Sequence, residues 1–561
     1  MSSPIASSPK GGSRSNSLRG ADFEKDMGSI SNLSTHTLDK ELSPSPSSQG
    51  VVQDYPTGIR FVLIIIACAA FVFLIAVDQT IVSTAIPALS NEFNSFQDVG
   101  WYGSAYLLTS TAFQPLFGRL YASFSVKWVY LASFFIFEIG SLICAIAKHS
   151  TVFIVGRAIS GLGLAGGYSG SLIIVTLIAP LEVRPLLTSA LGVAYGCGGT
   201  IGPIIGGAFT SGVSWRWCFW LNLVFAPLVT ILIILCLRLP ARHHQHTPLQ
   251  RLARIDWLGT LLVLCSITCI LLVCQWGGIT YAWSDSRIIG LIVGFVTIGA
   301  AFWIDQVVMA ERATIPLRIL RSRTVAFGSI VNFCVSAAYF SLLFYLPVYF
   351  QAAKRSTPIR SGVQTLPFIV SVILSVSITG VLVNKYGLYI PYLFAGSFLL
   401  SVGSGLLYLL RPDSPQALWV GLQFFAGIGP GMAWMLPFIA ASSVLSVEDI
   451  ELGSAVVIFW QSIGGTLFVS VTQSLFQNKF SQLLHDLPNV DADRILSHGL
   501  SAFLYFTSPA ELPAVVNAVN TALGKTFLVS AVLGAVAFFA VFGMELNRRV
   551  PLGQQASMAV A

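Results

Sequence analysis

The sequence predicts an all-α membrane protein, and two observations support this fold class. Of the 561 residues, 55% are hydrophobic and only 10% are charged, whereas soluble domains carry about 25% charged residues. After residue 59 the chain also divides into apolar stretches of about 20 residues, the length with which a helix crosses a bilayer. The strands of a membrane barrel would be about half as long and would alternate apolar with polar residues. We therefore expect a helical bundle.

Fourteen apolar stretches follow one another, separated by short polar breaks. They predict spans at 61–87, 99–122, 128–147, 152–178, 186–210, 217–237, 257–276, 287–305, 325–350, 364–383, 388–409, 416–445, 453–478 and 526–544. At about 20 residues each, fourteen spans use roughly half the chain. That leaves too little for the soluble domain of an enzyme or an ATP-driven pump, and the formal charge of +7 is spread too thinly for a nucleic-acid surface.

The distribution of Lys and Arg predicts the orientation. Residues 1–59 are rich in Ser, Pro and Gly and predict a disordered tail. Lys and Arg accumulate in cytoplasmic loops, and placing this tail inside puts about twice as many of them on the inner as on the outer side. Both termini are then cytoplasmic. A plasma-membrane location is favoured, with a vacuolar or vesicular membrane as the alternative.

A short repeat predicts that the chain is built from two related halves. The turn after span 2, Gly118–Lys127, and the turn after span 10, Gly380–Gly387, both read Gly-x-Leu followed by a basic residue. Duplicated halves are common in transporters. The predicted organisation is a tail at 1–59, a six-helix bundle at 60–237, two inserted helices with flanking loops at 238–324, a second six-helix bundle at 325–545 and a short cytoplasmic tail at 546–561.

Three charged residues fall within predicted spans: Asp78, Glu138 and Arg157. A charge at the centre of a span costs about 2.5–3.5 kcal/mol on insertion scales, so it seldom occurs without a partner or a role. Asp78 and Arg157 lie at similar depths from the outer side, and we expect them to pair. Glu138 is the rival partner. Asp78, Arg157 and Glu138 are the candidate proton-coupling residues. The role is favoured for Asp78 over Glu138, and a static ion pair between helices is the alternative.

Span 5 carries the most specific pattern, Gly198, Gly202, Pro203, Gly206 and Gly207. Small residues let membrane helices approach closely, and proline removes a helical hydrogen bond and bends the helix. We expect this surface to pack against a helix of the opposite half.

These residues and three further groups carry a family resemblance. The further groups are Arg157, Gly161 and Gly163 in span 4; Asp78, Thr80, Ile81, Ala85 and Pro87 in span 1; and Trp215 to Phe219 with Asn222 at the start of span 6. Over about residues 60–545 the sequence resembles the major facilitator superfamily, in particular the fourteen-span drug:proton antiporters such as fungal toxin and multidrug efflux pumps. The resemblance implies that the span-5 residues form the antiporter motif and that the span-4 arginine takes part in proton transfer.

The resulting functional prediction is a secondary active transporter, not an enzyme. It exports small amphipathic or hydrophobic organic molecules in exchange for protons, needs the bilayer but no cofactor, metal or nucleic acid, and acts as a monomer. Polar and aromatic side chains in spans that face the centre are candidate substrate contacts: Gln114, Asn332, Tyr339, Tyr345, Gln423, Trp434 and Gln461. A proton-driven importer on the same scaffold, such as a siderophore carrier, and a non-transporting sensor are the alternatives.

Overall fold

The structure is a computed structural model in which fourteen long helices account for most of the described chain. The described residues are 58–93, 99–180, 183–237, 247, 250, 255–278, 281–356, 358–446, 449–488, 490–492, 495 and 507–546. The predicted tail at 1–59, except for its last two residues, and the predicted tail at 546–561, except for residue 546, lie outside them.

The helices are named α1 to α14 in chain order. They are α1 Gly58–Phe93, α2 Val99–Ser123, α3 Val126–Ile146, α4 Ser150–Ile178, α5 Arg184–Gly212, α6 Trp217–Cys236, α7 Trp257–Trp276, α8 Ser286–Met309, α9 Arg323–Val348, α10 Pro358–Tyr386, α11 Ile390–Leu406, α12 Gln416–Val444, α13 Ile450–His485 and α14 Leu512–Val541. The all-helical fold class is thus confirmed.

Twelve of these helices are long and apolar enough to cross a membrane. The other two, α2 and α5, have 25 and 29 residues and are less apolar because they carry the polar and glycine-rich faces described below. Several helices exceed the predicted spans: α14 begins at Leu512, well before the predicted start at 526. Hydropathy locates the apolar centre of a helix, whereas its ends depend on local signals such as Pro185, Pro391 and Pro513 in the first turns of α5, α11 and α14.

The helix pairings occur twice. In the first six helices, α1 packs against α5 and α6, α2 against α4, and α3 against α4 and α6. In the last six, α9 packs against α13 and α14, α10 against α12, and α11 against α12 and α14. Two further pairings, α2 with α13 and α5 with α10, join the two groups. The second set of pairings therefore repeats the first.

The helices α7 and α8 form a pair between these groups. They pack against each other, and α7 also contacts α2 and α13. Asp256 caps α7 by accepting a hydrogen bond from the Gly259 amide at 2.6 Å, and it also accepts one from the hydroxyl of Thr314 at 2.8 Å. Beside Thr314, the Ala313 carbonyl accepts a hydrogen bond from Arg119 at the end of α2. The pair is therefore tied to the first group of helices.

Candidate functional site

The structure brings Asp78 of α1 and Arg157 of α4 into direct contact. Arg157 donates a hydrogen bond of 2.6 Å from Nη1 to Asp78 Oδ2, and both residues are fully buried. Asn222 of α6 donates from Nδ2 to the other carboxylate oxygen at 3.0 Å. Both oxygens of Asp78 are therefore engaged. The sequence predicted the first contact from depth alone, but did not assign Asn222 to the site.

Backbone and aromatic groups complete the surroundings of Arg157. Its Nε donates to the Tyr102 carbonyl at 3.0 Å, and the Tyr106 ring lies 4.2 Å from the guanidinium carbon. Such a cation–π contact is worth about 2 kcal/mol when desolvated. The remaining nitrogen, Nη2, has no hydrogen-bond partner among the described residues. Removing one member of a buried pair costs about 3–5 kcal/mol, so this arrangement depends on both charges.

Glu138 of α3 does not pair with Arg157, so the rival pairing is wrong. Its carboxylate is nearly buried, and neither oxygen has a hydrogen-bond partner within the described ranges. It lies one turn before Ser141, whose hydroxyl accepts a second hydrogen bond of 3.0 Å from Asn222. Glu138 therefore faces the side of α3 near the pair without sharing its hydrogen bonds.

The glycine pattern of α5 packs against α1 rather than against the opposite half. A Cβ added at Gly198 would lie 2.5 Å from the carbonyl oxygen of Phe73 on α1. At Gly202 it would lie 2.1 Å from the hydroxyl oxygen of Thr80, and at Gly206 2.4 Å from that of Thr84. A spacing of four residues places these glycines in one stripe, which corrects the expected packing. The stripe holds α1 close to α5 around Asp78.

The other two residues of the pattern lie off this stripe. A Cβ added at Gly207 would have open space within 4 Å, because the next residue in a helix is turned by about 100°. Pro203 lies within the helix. Contact with the opposite half comes from an earlier part of α5, where a Cβ at Gly192 would meet Met435 at 3.0 Å.

A narrow cavity of about 50 Å³ lies between the two groups of helices. Its polar and aromatic lining residues include Gln79, Ser110, Thr111, Gln114, Tyr168, Tyr195, Phe340, Trp434, Gln461 and Thr466. Thr111 of α2 and Thr466 of α13 share a hydrogen bond of 3.0 Å across it. Ligand sites usually measure about 300–1,000 Å³, so an organic substrate would require the groups to separate.

Three of the seven predicted cavity residues line this space. Gln114 accepts a hydrogen bond from Ser462 of α13 at 3.3 Å and donates to the Ala165 carbonyl at 3.2 Å. Gln461 lies on α13, and Trp434 lies where α12 is interrupted between Ala433 and Leu436. These three side chains lie on the cavity wall, as predicted. Their role in substrate binding stays a prediction.

The other four predicted residues are buried elsewhere. Tyr339 packs behind Trp434, with ring centroids 4.7 Å apart, and Tyr345 packs against Phe476. Asn332 donates to the Val457 carbonyl at 3.4 Å. These side chains point between neighbouring helices and not into the cavity. The sequence alone does not reveal this, because it does not fix the rotation of each helix about its axis.

Gln423, the fourth, stands in α12 where Arg157 stands in α4. Its Nε2 donates to the Gln364 carbonyl of α10 at 3.1 Å, as Arg157 donates to the Tyr102 carbonyl of α2. Four residues later each helix has a glycine, Gly161 or Gly427, that touches the backbone of the same neighbour, α2 or α10. Gln423 is therefore a structural counterpart of the arginine.

Sequence reasoning missed the residue that joins the ion pair to the cavity. Gln79 follows Asp78 directly and lines the cavity, where it accepts a hydrogen bond of 2.5 Å from the Tyr195 hydroxyl. Tyr195 of α5 in turn stacks with Trp434 of the second group, with centroids 6.3 Å apart. The sequence did contain a signal for this residue, because Gln79 is a polar residue directly next to the charged Asp78 in a predicted span.

Comparisons with known proteins agree with this architecture. The family model described as Major Facilitator Superfamily matches residues 68–469. The aspyridones efflux protein of Neocamarosporium betae is 40% identical over 517 residues, covering 91% of this chain and 92% of that protein. Efflux pump aflT of Aspergillus parasiticus is 39% identical, covering 87% and 96%.

A solved structure shares the fold. The proton:xylose symporter XylE superposes with a TM-score of 0.55 at 14% identity, covering 86% of this chain and 97% of that chain. The family match and the two relatives extend over most of the chain, and the matched residues 68–469 include the buried pair and the cavity. The chain therefore belongs to the major facilitator superfamily and is a membrane transporter, not an enzyme.

Proposed function

We propose that this transporter exports small amphipathic or hydrophobic organic molecules, such as fungal toxins, secondary metabolites or drugs, in exchange for protons by alternating access. The observation that carries the proposal is the buried Asp78–Arg157 pair, placed one residue from a cavity between two groups of helices. The aromatic lining from Tyr168, Tyr195 and Trp434 suits such substrates. The names of the two efflux relatives support the direction.

The coupling works through α1. A proton on Asp78 removes its negative charge and weakens a charge-assisted hydrogen bond, which is worth about 1.5–3 kcal/mol. The same helix carries Gln79 and its hydrogen bond to Tyr195. A small movement of α1 is therefore transmitted to the cavity wall, so that protonation and substrate binding favour different conformations.

Alternating access uses the repeated halves as moving bodies. We assign residues 60–237 and 325–545 to these bodies and residues 238–324 to the insert. At the end of the cavity near the short repeated turns, a Cβ at Gly118 would lie 2.3 Å from Ala455, and one at Gly380 2.3 Å from Ser189. Both contacts cross between the halves. Opening toward the cytoplasm requires that they separate.

The proposed topology has fourteen spans with both termini in the cytoplasm, in the plasma membrane of the cell, and a monomer as the working unit. Ser284 lies exposed between α7 and α8, which places it outside if both helices cross. A cysteine at this position should react with an impermeant thiol reagent added to intact cells. Labelling only after permeabilisation would contradict this topology.

Transport into inside-out membrane vesicles tests the direction. A fluorescent amphipathic dye should accumulate only when the vesicle lumen is more acidic than the medium, because protons then leave as substrate enters. The Asp78→Asn variant should bind dye but not accumulate it. Glu138→Gln is the matched control. It removes the other buried carboxylate of this region and, unlike Asp78→Asn, should still accumulate dye. Accumulation driven by an acidic medium would instead establish the importer.

A further inference from the structure

Five aromatic rings cover the ion pair on the side where α4 and α6 begin. We name Phe93, Tyr102, Phe153, Trp215 and Phe219 the aromatic plug. Phe153 lies at its centre, with its ring centroid 5.1 Å from Tyr102, 5.3 Å from Phe219, 5.8 Å from Trp215 and 6.0 Å from Phe93. Tyr102, Phe153 and Phe219 are fully buried. The interior of this plug therefore consists of close-packed rings.

The plug lies directly on Arg157. Phe153 precedes Arg157 by one helical turn, and the Phe219 ring centroid lies 6.0 Å from the guanidinium carbon. Tyr102 supplies the carbonyl that binds Arg157 Nε. The rings thus separate the charged pair from the ends of the helices, which form the outer face in the proposed topology.

A polar clamp holds the rim of the plug. Glu92 accepts hydrogen bonds from the indole of Trp215 at 2.5 Å and from Arg216 at 2.8 Å. Arg216 also donates to the Ala147 carbonyl at 3.0 Å, and its guanidinium carbon lies 4.4 Å from the Trp215 ring centroid. The clamp therefore ties together the ends of α1 and α3 and the start of α6.

Protons cross a protein along water and hydrogen-bonding groups. In the plug the side-chain groups that form hydrogen bonds are the Tyr102 hydroxyl, paired with Ser150, and the Trp215 indole, paired with Glu92; the ring carbons of Phe93, Phe153 and Phe219 offer none. We propose that the aromatic plug is a proton-tight seal on the outer side of the pair, so that Asp78 exchanges protons only by way of the substrate cavity. This inference rests on the proposed function. Gln79 supports the second part of this proposal, the route through the cavity. It follows Asp78 directly in α1 and lies on the cavity wall. Proton and substrate then use one entrance, which prevents uncoupled proton flow.

The second half of the molecule provides a matched control. Trp419 stands in α12 where Phe153 stands in α4, packs against Phe350 with centroids 5.0 Å apart, and is nearly buried. Gln423 follows it by one turn, in place of Arg157. A hole at Trp419 therefore resembles a hole at Phe153 in size and depth but leads to Gln423 in place of the ion pair.

The experiment measures proton entry into proteoliposomes without substrate. Full-length protein is reconstituted with a pH-sensitive dye inside, and a potassium diffusion potential drives protons inward. Phe153→Ala should raise proton entry several-fold above wild type, whereas Trp419→Ala should not. In Phe153→Ala combined with Asp78→Asn, proton entry should return to the wild-type rate, because the leak passes through that carboxyl group.

Three results would overturn the seal: no increase in Phe153→Ala, an equal increase in Trp419→Ala, or a leak that survives Asp78→Asn. If Phe153→Ala is not monodisperse in size-exclusion chromatography, Trp215→Ala at the rim of the plug decides by the same criteria. The leak assay contains no substrate, so its result does not depend on whether the protein exports the dye in the vesicle assay. Failure of gradient-driven export would reject the proposed function while leaving the seal to be judged on its own data.

Discussion

The first and last six helices share one packing scheme but differ in their buried charges. Arg157 and Gln423 occupy corresponding positions, and each donates a hydrogen bond to the carbonyl of a corresponding residue, Tyr102 or Gln364. Only Arg157 meets a carboxylate. The duplicated scaffold therefore does not need a charge at this position, and the charge in the first half calls for an explanation beyond packing.

The partner position shows the same difference. Gly198 of α5 touches the Phe73 carbonyl, and Gly464 of α13 touches the Phe333 carbonyl. Five residues after Phe73 comes Asp78, and five after Phe333 comes Ala338, which is also fully buried. The second half thus shows how this interface packs without ions. We infer that energy coupling is confined to the first half, while the second half contributes mainly to the cavity.

The largest expected effect comes from replacing the buried charges of the first half by uncharged residues like those at the corresponding positions of the second half. Arg157→Gln leaves Asp78 buried without its cation, which should lower the free energy of unfolding by about 3–5 kcal/mol and abolish gradient-driven transport. Adding Asp78→Ala copies the uncharged arrangement, so most of the stability should return while transport stays absent. Thermal unfolding in detergent and vesicle uptake are the two measurements. Proton-driven uptake by the double variant would show that the pair is not the coupling site.

A smaller effect is expected from bulk in the glycine stripe. Gly202→Val would place its Cβ 2.1 Å from the Thr80 hydroxyl oxygen, and overpacking typically costs about 1–3 kcal/mol. The displaced α1 should also reduce proton-driven uptake. In the second half, Phe468 stands four residues after Gly464, so α13 tolerates bulk there. Gly207→Val, with open space around its Cβ, should change neither thermal stability nor uptake; equal losses in both variants would contradict the role of the stripe.

The sequence predicted the fold and the pairing of Asp78 with Arg157, but not the neighbours that complete the site. Apolar length identifies helices, and a charge in a span demands a partner, so both conclusions follow from strong energetic requirements. The facing direction of Gly202, Tyr339 or Tyr345 depends on helix rotation and on which helices are adjacent. Differences of about 100° between successive residues decide those contacts, and composition carries no information about them.

The contacts that close one end of the cavity should respond alike in the two halves. A methyl group at Gly118 meets Ala455, and one at Gly380 meets Ser189, both at 2.3 Å. Gly118→Ala and Gly380→Ala should each destabilise the closed conformation relative to the open one by about 1 kcal/mol. The ratio of closed to open molecules then falls by a factor of about five. Labelling of a cysteine at Thr466 with an impermeant thiol reagent, applied from the cytoplasmic side, measures the shift. A large effect of one variant alone would show that closure is asymmetric.

The smallest expected effect concerns the exposed clamp of the first half. The hydrogen bond from Arg216 holds the pKa of Glu92 below its usual 4.5, so the clamp stabilises the fold above that pH and loses this contribution as pH falls through the lowered pKa. Exposed ion pairs are worth about 0–1 kcal/mol. Glu92→Gln should therefore lower the unfolding temperature slightly at neutral pH and not at all well below pH 4.5.

A second exposed ion pair, at the start of α13, provides the control for this prediction. Asp449 accepts two hydrogen bonds of 2.8 Å from Arg318, which hold its pKa below the usual 3.8. Asp449→Asn should show the same small loss of stability with the same sign of pH dependence. Only Glu92→Gln should also raise proton entry into substrate-free proteoliposomes, because only Glu92 holds a ring over an ionisable pair. If both variants leak equally, the clamp acts through general stability and has no special connection with the buried charges.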